Sequence, residues 1–532
     1  MLGTLLVKAA AAFPDNIAIS GGDTKLTYRE LENSVARIAA ALQACVQPGD
    51  RVACYLHNGS EIIEIIHACF RIGVSVVFIS PFFKATEARN ILIECKPRVL
   101  FTEHEIYQSV IKPIIPQLPF IEVTCLRLPT PAAPAGTCSL VDFKHSATCR
   151  NDAPISTNLE DHEAGVFYTS GSTGSIKGIS HGHSKLMADV TEKVRRFALC
   201  GDDRILLCEP LCGNPLPLVF AVLPAALSGA QLTWLPTDSS SIGTTHEATI
   251  ERAIRALVQD RITYLVTSPF TLRALVKRLE SAEQISSQLT LRCCIIGGDV
   301  IPDDTYNRFR AIFGFSVCEM YGLTEALSCA IASGDEAAPK GKYMPFGDMQ
   351  FRIIDESWMA LPVGSVGEIA VHSALVMRGY VNDPETTALV LQDGWLKTGD
   401  LGYLDRDGSL RFVGRRKHVI CYDGENIGPQ EVESALLDHP RILEACVVGI
   451  PSQRNGEVPA AYVVTSSVDP PIAYEEIAAF LIERLASHKI PVAIRFMDVL
   501  PRNVNRKIDR KLLIARARED FADAIAVESE CD

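Results

Sequence analysis

The chain of 532 residues has no C-x-x-C pair, no long basic run, no uninterrupted membrane-length apolar stretch, and no internal repeat or long low-complexity tract. Each absence excludes something. Its 17 cysteines are scattered, and Cys54, Cys69, Cys293, Cys294 and Cys446 stand in apolar contexts. That pattern predicts buried free thiols in a reducing compartment, not a disulfide framework. Cys208 and Cys212 are four apart, yet no histidine stands near them to complete a metal site. With 51 Lys and Arg against 64 Asp and Glu, the formal net charge is −13, which argues against a nucleic-acid partner. The hydrophobic stretch from Ile62 to Phe83 is broken by Glu64 and Arg71, so it reads as core and not as a membrane span. The first residues, MLGTLLVKAAAAFP, lack the basic and long apolar regions of a signal peptide. A soluble cytoplasmic protein is expected.

A Walker A motif is missing as well, although the chain has a loop that invites one. Tyr168 to Gly178 reads YTSGSTGSIKG: five Ser/Thr hydroxyls, three glycines and one lysine in eleven residues, after the apolar run Gly165-Val166-Phe167. Glycines let the backbone approach a ligand closely, successive amides form an anion-binding nest, and Lys177 adds a point charge. Leu186, Val190, Val194 and Phe197 follow at helical spacing. The expected unit is strand, phosphate loop, helix. Ile176 before Lys177 and Gly178 after it break the P-loop pattern, and a plain Gly/Ser surface turn is the competing reading.

Along the chain, β-rich runs at 51–56, 74–80, 262–267 and 291–296 alternate with helical patterns such as Pro269 to Ala282, where Leu272, Leu275, Val276 and Leu279 share a face. Alternation of this kind predicts βαβ units and largely parallel sheets. Leu126 to Thr157, rich in Pro, Ala, Thr and Ser, reads as a surface excursion. Beyond residue 415, helical patterns at 429–438 and 474–488 flank β-rich runs at 445–450 and 460–466, enough for a small α+β domain. Arg415-Arg416-Lys417 stands at the junction, as a phosphate-binding cluster or a solvated charge run.

Four more clusters suit a nucleotide. Tyr321-Gly322-Leu323-Thr324-Glu325 offers a ring for a base, a hydroxyl for phosphate and a carboxylate for Mg²⁺. Asp400, after Gly399, can take ribose hydroxyls. Arg415 can pair with ribose or phosphate oxygens. Lys507 lies in a polar, loop-like segment near the C-terminal end. Taken singly, each could be core, a turn cap or a surface charge.

Taken in order, these segments resemble the acyl-adenylate-forming superfamily, which comprises acyl-CoA synthetases, nonribosomal adenylation domains and firefly-luciferase-like enzymes. The likeness is closest to AMP-forming carboxylate–CoA ligases and runs from about residue 10 to 515. Further matches are Gly297-Gly298-Asp299, Gly367-Glu368, Gly379-Tyr380, Gly414–Lys417, Gly424-Glu425-Asn426 and Arg506–Arg510. The resemblance implies an α/β fold: a large N-terminal domain of several subdomains (1–414) with mixed, largely parallel sheets flanked by helices, a hinge at 415–419, and a small mobile α+β lid (420–532). It implies a ligase that converts a carboxylic acid and ATP into acyl-AMP and pyrophosphate, then passes the acyl group to a thiol. Lys507 would contact the acyl oxygen and the phosphate. Thr324, Lys177 and the loop residues Thr169, Ser170, Gly171, Ser172, Thr173 and Gly174 would hold phosphates. Glu325 would ligate Mg²⁺, Tyr321 would stack on adenine beside Gly322, and Asp400 with Arg415 would bind the ribose side. Gly297 and Gly298 would line the acyl and adenine pockets, and rotation at Lys417 would bring Gly424 toward the thiol tunnel.

The sequence also departs from the family pattern. Ile176 replaces the usual proline before the loop lysine, Arg506 a glycine before Lys507, and His418 an acidic residue after the hinge lysine. The segment Glu209 to Pro215, with Asn214 in it, lacks the usual aromatic and histidine of the substrate gate. The position that binds an α-amino group in amino-acid adenylation domains falls near Leu216, which carries no charge. A fatty, aryl or alicyclic acid is therefore expected. Coenzyme A is the first acceptor to consider, on the likeness of Asp423–Ile427 to a thiolation loop. The phosphopantetheine arm of an acyl carrier protein, an amine acceptor, and a silent nucleotide-binding protein remain as alternatives. The oligomeric state is left open.

Overall fold

The computed structural model describes residues 1–127, 133–146, 162–170, 176–236, 246–280, 288–298, 301–334, 339–423, 425–466, 472–503 and 507–525. Among these, the strands form four sheets. A nine-stranded sheet runs in the order 344–345, 327–332, 318–323, 293–297, 264–267, 204–207, 231–234, 17–21, 24–27. Its six strands from 318–323 to 17–21 are parallel neighbours, with antiparallel strands only at the two edges. An eight-stranded sheet, 379–380, 176–182, 163–170, 75–78, 51–55, 99–103, 123–127, 138–139, is parallel from 163–170 onward.

Helices Tyr28–Gln43, Ser60–Ile72, His183–Arg196 and Leu223–Ser228 contribute to one core shared with both sheets. Successive strand residues point to opposite faces, so Ile205 and Leu207 enter that core while Leu206 faces the helices 246–259, 269–280 and 303–313 on the far side. Both faces are buried, which is why these strands read as continuous apolar runs. The two charges that interrupt the apolar stretch 62–83 are satisfied inside the core: Glu64 by Ser34 and Lys144, Arg71 by Glu32.

A third, antiparallel sheet is built from 350–354, 367–372, 391–392, 395–404 and 410–415. Every strand from Ile420 onward belongs to a fourth sheet, 425–427, 420–422, 456–465, 442–452 with 493–496 on its edge. Helices Pro429–Leu437 and Tyr474–Ile482 pack on one of its faces and Arg510–Asp520 on the other.

Three sequence expectations need correction. The glycine-rich loop does not run into a helix: it closes an antiparallel hairpin of Glu163–Ser170 and Ile176–Gly182, and the helix starts only at His183. Lys177 thus sits on a strand, paired across from Thr169. The segment 126–157 is more than a surface excursion. Cys138–Ser139 adds an edge strand, and Leu140 and Phe143 of the helix Leu140–Ser146 are buried. The helix expected over 474–488 ends at Ile482, and His488 lies in a separate 3₁₀ turn, Ser487–Lys489.

Candidate active site

Elements from all four sheets meet at one place. Asp400 lies on the strand Trp395–Leu404, whose residues alternate between buried and half-buried, so Leu396, Thr398 and Asp400 point inward together. Asp400 is 2% exposed. Directly across the ladder stands Arg415, the last residue of Leu410–Arg415. Its Nε approaches Asp400 Oδ1 to 2.8 Å as an ion pair, while the Tyr321 hydroxyl, from the nine-stranded sheet, donates to Oδ2 at 2.8 Å. Burial raises the Asp400 carboxyl above its ordinary value, and Arg415, the Tyr321 hydroxyl and Lys507 oppose that rise. Despite the ion pair, the buried Oδ1 accepts no aligned hydrogen bond. A buried carboxylate oxygen left in this state is suited to accept from a ligand hydroxyl.

A second cluster is arranged around Tyr380, a residue without an expected role. Its strand Gly379–Tyr380 pairs with the outer hairpin strand. Lys177 Nζ lies 4.9 Å from the ring centroid, and the hydroxyl donates to Glu325 Oε1 at 3.2 Å. Burial is the main cause that raises the Glu325 carboxyl, with Arg415 and Tyr380 holding it down. His181 Nε2 donates to the Thr324 carbonyl at 2.6 Å. Burial lowers the His181 pKa to about 4, so the ring is neutral at pH 7, with its proton on the nitrogen that faces the carbonyl. Gly171, Ser172, Thr173, Gly174, Asp299, Gly424 and Arg506 lie outside the described residues, as do the side chains of Thr169 and Ser170.

Two glycines are required by their surroundings. A Cβ on Gly322 would stand 2.2 Å from the Leu327 carbonyl oxygen. Gly298 has φ +87°, and its carbonyl receives Lys507 Nζ at 2.8 Å. Lys507 comes from the fourth-sheet unit, beside an isolated antiparallel bridge between Arg502 and Ile508. Asn503 N donates to Lys507 O at 2.8 Å, and the Asp509 side chain caps the following helix through Leu512 N at 3.0 Å. The segment that reads as a loop is therefore a capped turn presenting an exposed lysine. The structure thus gathers Lys507, Gly298, Tyr321, Asp400 and Arg415, and Glu325 feels the Arg415 charge.

Beside Gly297 lies the gate segment. A Cβ there would meet Leu216 Cδ1 at 3.2 Å, so an apolar side chain stands against that glycine. Asn58 fixes the segment by accepting from Leu211 N at 2.7 Å and donating to Glu209 O at 3.1 Å. Ser268 N donates to Glu209 Oε1 at 2.9 Å. Cys208 and Cys212 are buried thiols whose pKa values burial pushes up, that of Cys212 to about 12. Among the described residues no three potential metal ligands cluster, and no helix is long and apolar enough to cross a membrane.

Comparison with known proteins supplies the family. The family described as AMP-binding enzyme matches residues 6–381, and its C-terminal domain matches residues 431–507. A feruloyl-CoA synthase of an Amycolatopsis species is 33% identical, covering 95% of this chain and 97% of that protein. A fatty acid–[acyl-carrier-protein] ligase of Streptomyces coeruleorubidus is 31% identical, covering 93% and 92%. The o-succinylbenzoate CoA synthetase of Bacillus subtilis, solved with its acyl-adenylate intermediate, superposes with a TM-score of 0.80 at 27% identity, covering 96% and 97%. The chain belongs to the AMP-binding enzyme family, as an enzyme of the AMP-forming acyl-CoA synthetase type.

Proposed function

We propose that this enzyme activates a fatty, aryl or alicyclic acid without an α-amino group and delivers it to coenzyme A. In the first half-reaction an acid oxygen attacks the α-phosphorus of ATP and pyrophosphate leaves. In the second the thiol sulfur attacks the acyl carbonyl and AMP leaves. The observation that carries this reading is Lys507 Nζ on the Gly298 carbonyl, within electrostatic reach of Asp400. That position suits a cation that must hold two mutually repelling anions, the acid and the α-phosphate, in line.

The remaining roles follow from chemistry. The Asp400 Oδ1 lone pairs accept a ribose hydroxyl, and Arg415 keeps that carboxylate ionised. Tyr321 offers its ring face to adenine. Lys177 and the hairpin loop take the β- and γ-phosphates, with Thr324 beside them. The donor set also fits Mg²⁺, which is ordinarily held by one or two carboxylates plus substrate phosphates, without an all-protein cage. Glu325 would hold it there, and when bound it would neutralise phosphate charge. We divide the chain into a body (1–414), a hinge (415–419) and a lid (420–532), with Lys417 as the pivot that exchanges Lys507 for Gly424 between the half-reactions. The apolar wall of Leu216 against Gly297 supports the exclusion of α-amino acids. The free thiols among the described cysteines fit a cytoplasmic setting.

A panel of decanoate, ferulate, 2-succinylbenzoate and phenylalanine, assayed for ATP-dependent pyrophosphate release with and without CoA, tests the proposal. At least one of the first three should support release and form a CoA thioester, and phenylalanine should not. Release with phenylalanine alone would overturn the substrate class. The carrier-protein relative supports a second acceptor, the phosphopantetheine thiol. Acyl transfer to holo carrier protein but not to CoA would favour it.

A further inference from the structure

The lid must find one orientation before Lys507 can reach Gly298, and one body arginine grips its backbone through two carbonyls. Arg273 lies on the helix Pro269–Glu280 of the nine-stranded-sheet layer. Its guanidinium crosses to the lid and donates to the main-chain carbonyls of Ile442, at 2.7 Å, and Leu443. Those carbonyls lie at the start of the strand Ile442–Ser452, where the ladder shifts register between Ile442 and Glu444 and leaves Leu443 without a cross-strand partner. A β-bulge of this kind turns backbone groups away from the ladder.

The neighbouring carboxylates are engaged elsewhere: Asp304 with Arg308, Glu444 with Arg502 at 2.7 Å, and Asp438 with the Asp304 amide at 3.3 Å. Among the described residues no carboxylate forms a salt bridge with Arg273. Its hydrogen-bond acceptors are therefore neutral and lie wholly on the lid. Such a contact is charge-assisted when the lid is docked, and water can replace it when the lid leaves. A buried ion pair would resist that exchange far more. Arg502 stacks on Phe270 of the same helix, 3.9 Å from the ring centroid, and marks the same docking face.

We propose that Arg273 is a positioning residue that latches the lid in the adenylating orientation through the Leu443 bulge. This rests on the two-orientation reading above. The test uses the full chain, the most active acid of the panel, and its preformed acyl-AMP. R273A should lower acid-dependent ATP–pyrophosphate exchange about tenfold or more while leaving CoA thiolysis of preformed acyl-AMP within about twofold of wild type or faster. Trypsin should cut sooner at the Arg415-Arg416-Lys417 junction, a readout that needs no substrate. R273K, which keeps the charge but not the fork, should recover part of the exchange. Exchange within twofold of wild type, or an equal loss in both half-reactions, overturns the latch. K507A separates the two ideas. If K507A abolishes exchange and R273A does not, only the latch fails. If K507A spares exchange, the reading beneath it fails.

Discussion

The two ends of the candidate site, at Asp400 and at Lys507, are built in opposite ways. Around Asp400, cross-strand pairing with the half-exposed Arg415, a hydroxyl from another sheet and the near-complete burial of the carboxylate itself hold that carboxylate in place. Around Lys507, an exposed ammonium reaches in from a separate sheet on a capped turn. The buried end holds still at the cost of desolvation, which preorganised binding requires. The exposed end can leave, because its charge is hydrated either way. Binding and chemistry are thus given to parts of different mobility, which suits a site that must change its catalytic group between two steps.

Four substitutions or conditions can break or sharpen this contrast. Lys507→Ala should lower ATP–pyrophosphate exchange by about a thousandfold and largely spare thiolysis of preformed acyl-AMP; near-normal exchange would contradict the assignment. Asp400→Asn should lower kcat/KM for ATP roughly a hundredfold, about 3 kcal/mol, with both half-reactions and AMP binding affected. If calorimetry shows AMP binding unchanged, the buried end is not the nucleotide's anchor.

Acid pH should act on the movable end. In the docked lid, burial, with Arg510, Lys417 and Arg415, lowers the His418 pKa to about 3. An undocked chain that hydrates this ring titrates nearer 6.5. It therefore binds more protons once the pH falls below that value, and docking weakens. After solvent screening the loss is at most about 1 kcal/mol per pH unit. The ratio of exchange to thiolysis should be flat above pH 7 and fall toward pH 5.5; a constant ratio would remove His418 from the lid equilibrium. The smallest effect belongs to Tyr321→Phe, which removes one hydrogen bond to Asp400 while keeping the ring. It should raise KM for ATP about fivefold, roughly 1 kcal/mol, and a larger loss would mean that the hydroxyl touches substrate.

Much of this was legible in the chain, and what was not has a physical reason. Parallel strands such as Tyr264–Thr267 and Cys293–Gly297 announce themselves because both faces are buried. The hairpin around the phosphate loop was misread as strand–loop–helix. Apolar residues recur on the helix from His183, but nothing local says that Ile176–Gly182 pairs with the strand before it. Tyr380 and Arg273 were passed over for the same reason: their partners lie 55 and about 170 residues away. Gly379-Tyr380 was at least a visible signal, since the pair was already among the matched segments.

Asp400 and the proposed hinge are joined by more than proximity. Arg415, which neutralises Asp400, is the last residue of its strand, and the 3₁₀ turn Arg416–His418 begins at once. Arg416 is itself tied back to Glu356 and Glu368. On the proposed reading, a ligand hydroxyl that claims Asp400 Oδ1 would share it with Arg415, and any resettling of that arginine would pass along the backbone to the proposed pivot. The proposed ribose pocket and the proposed pivot consequently lie on one short ribbon of chain.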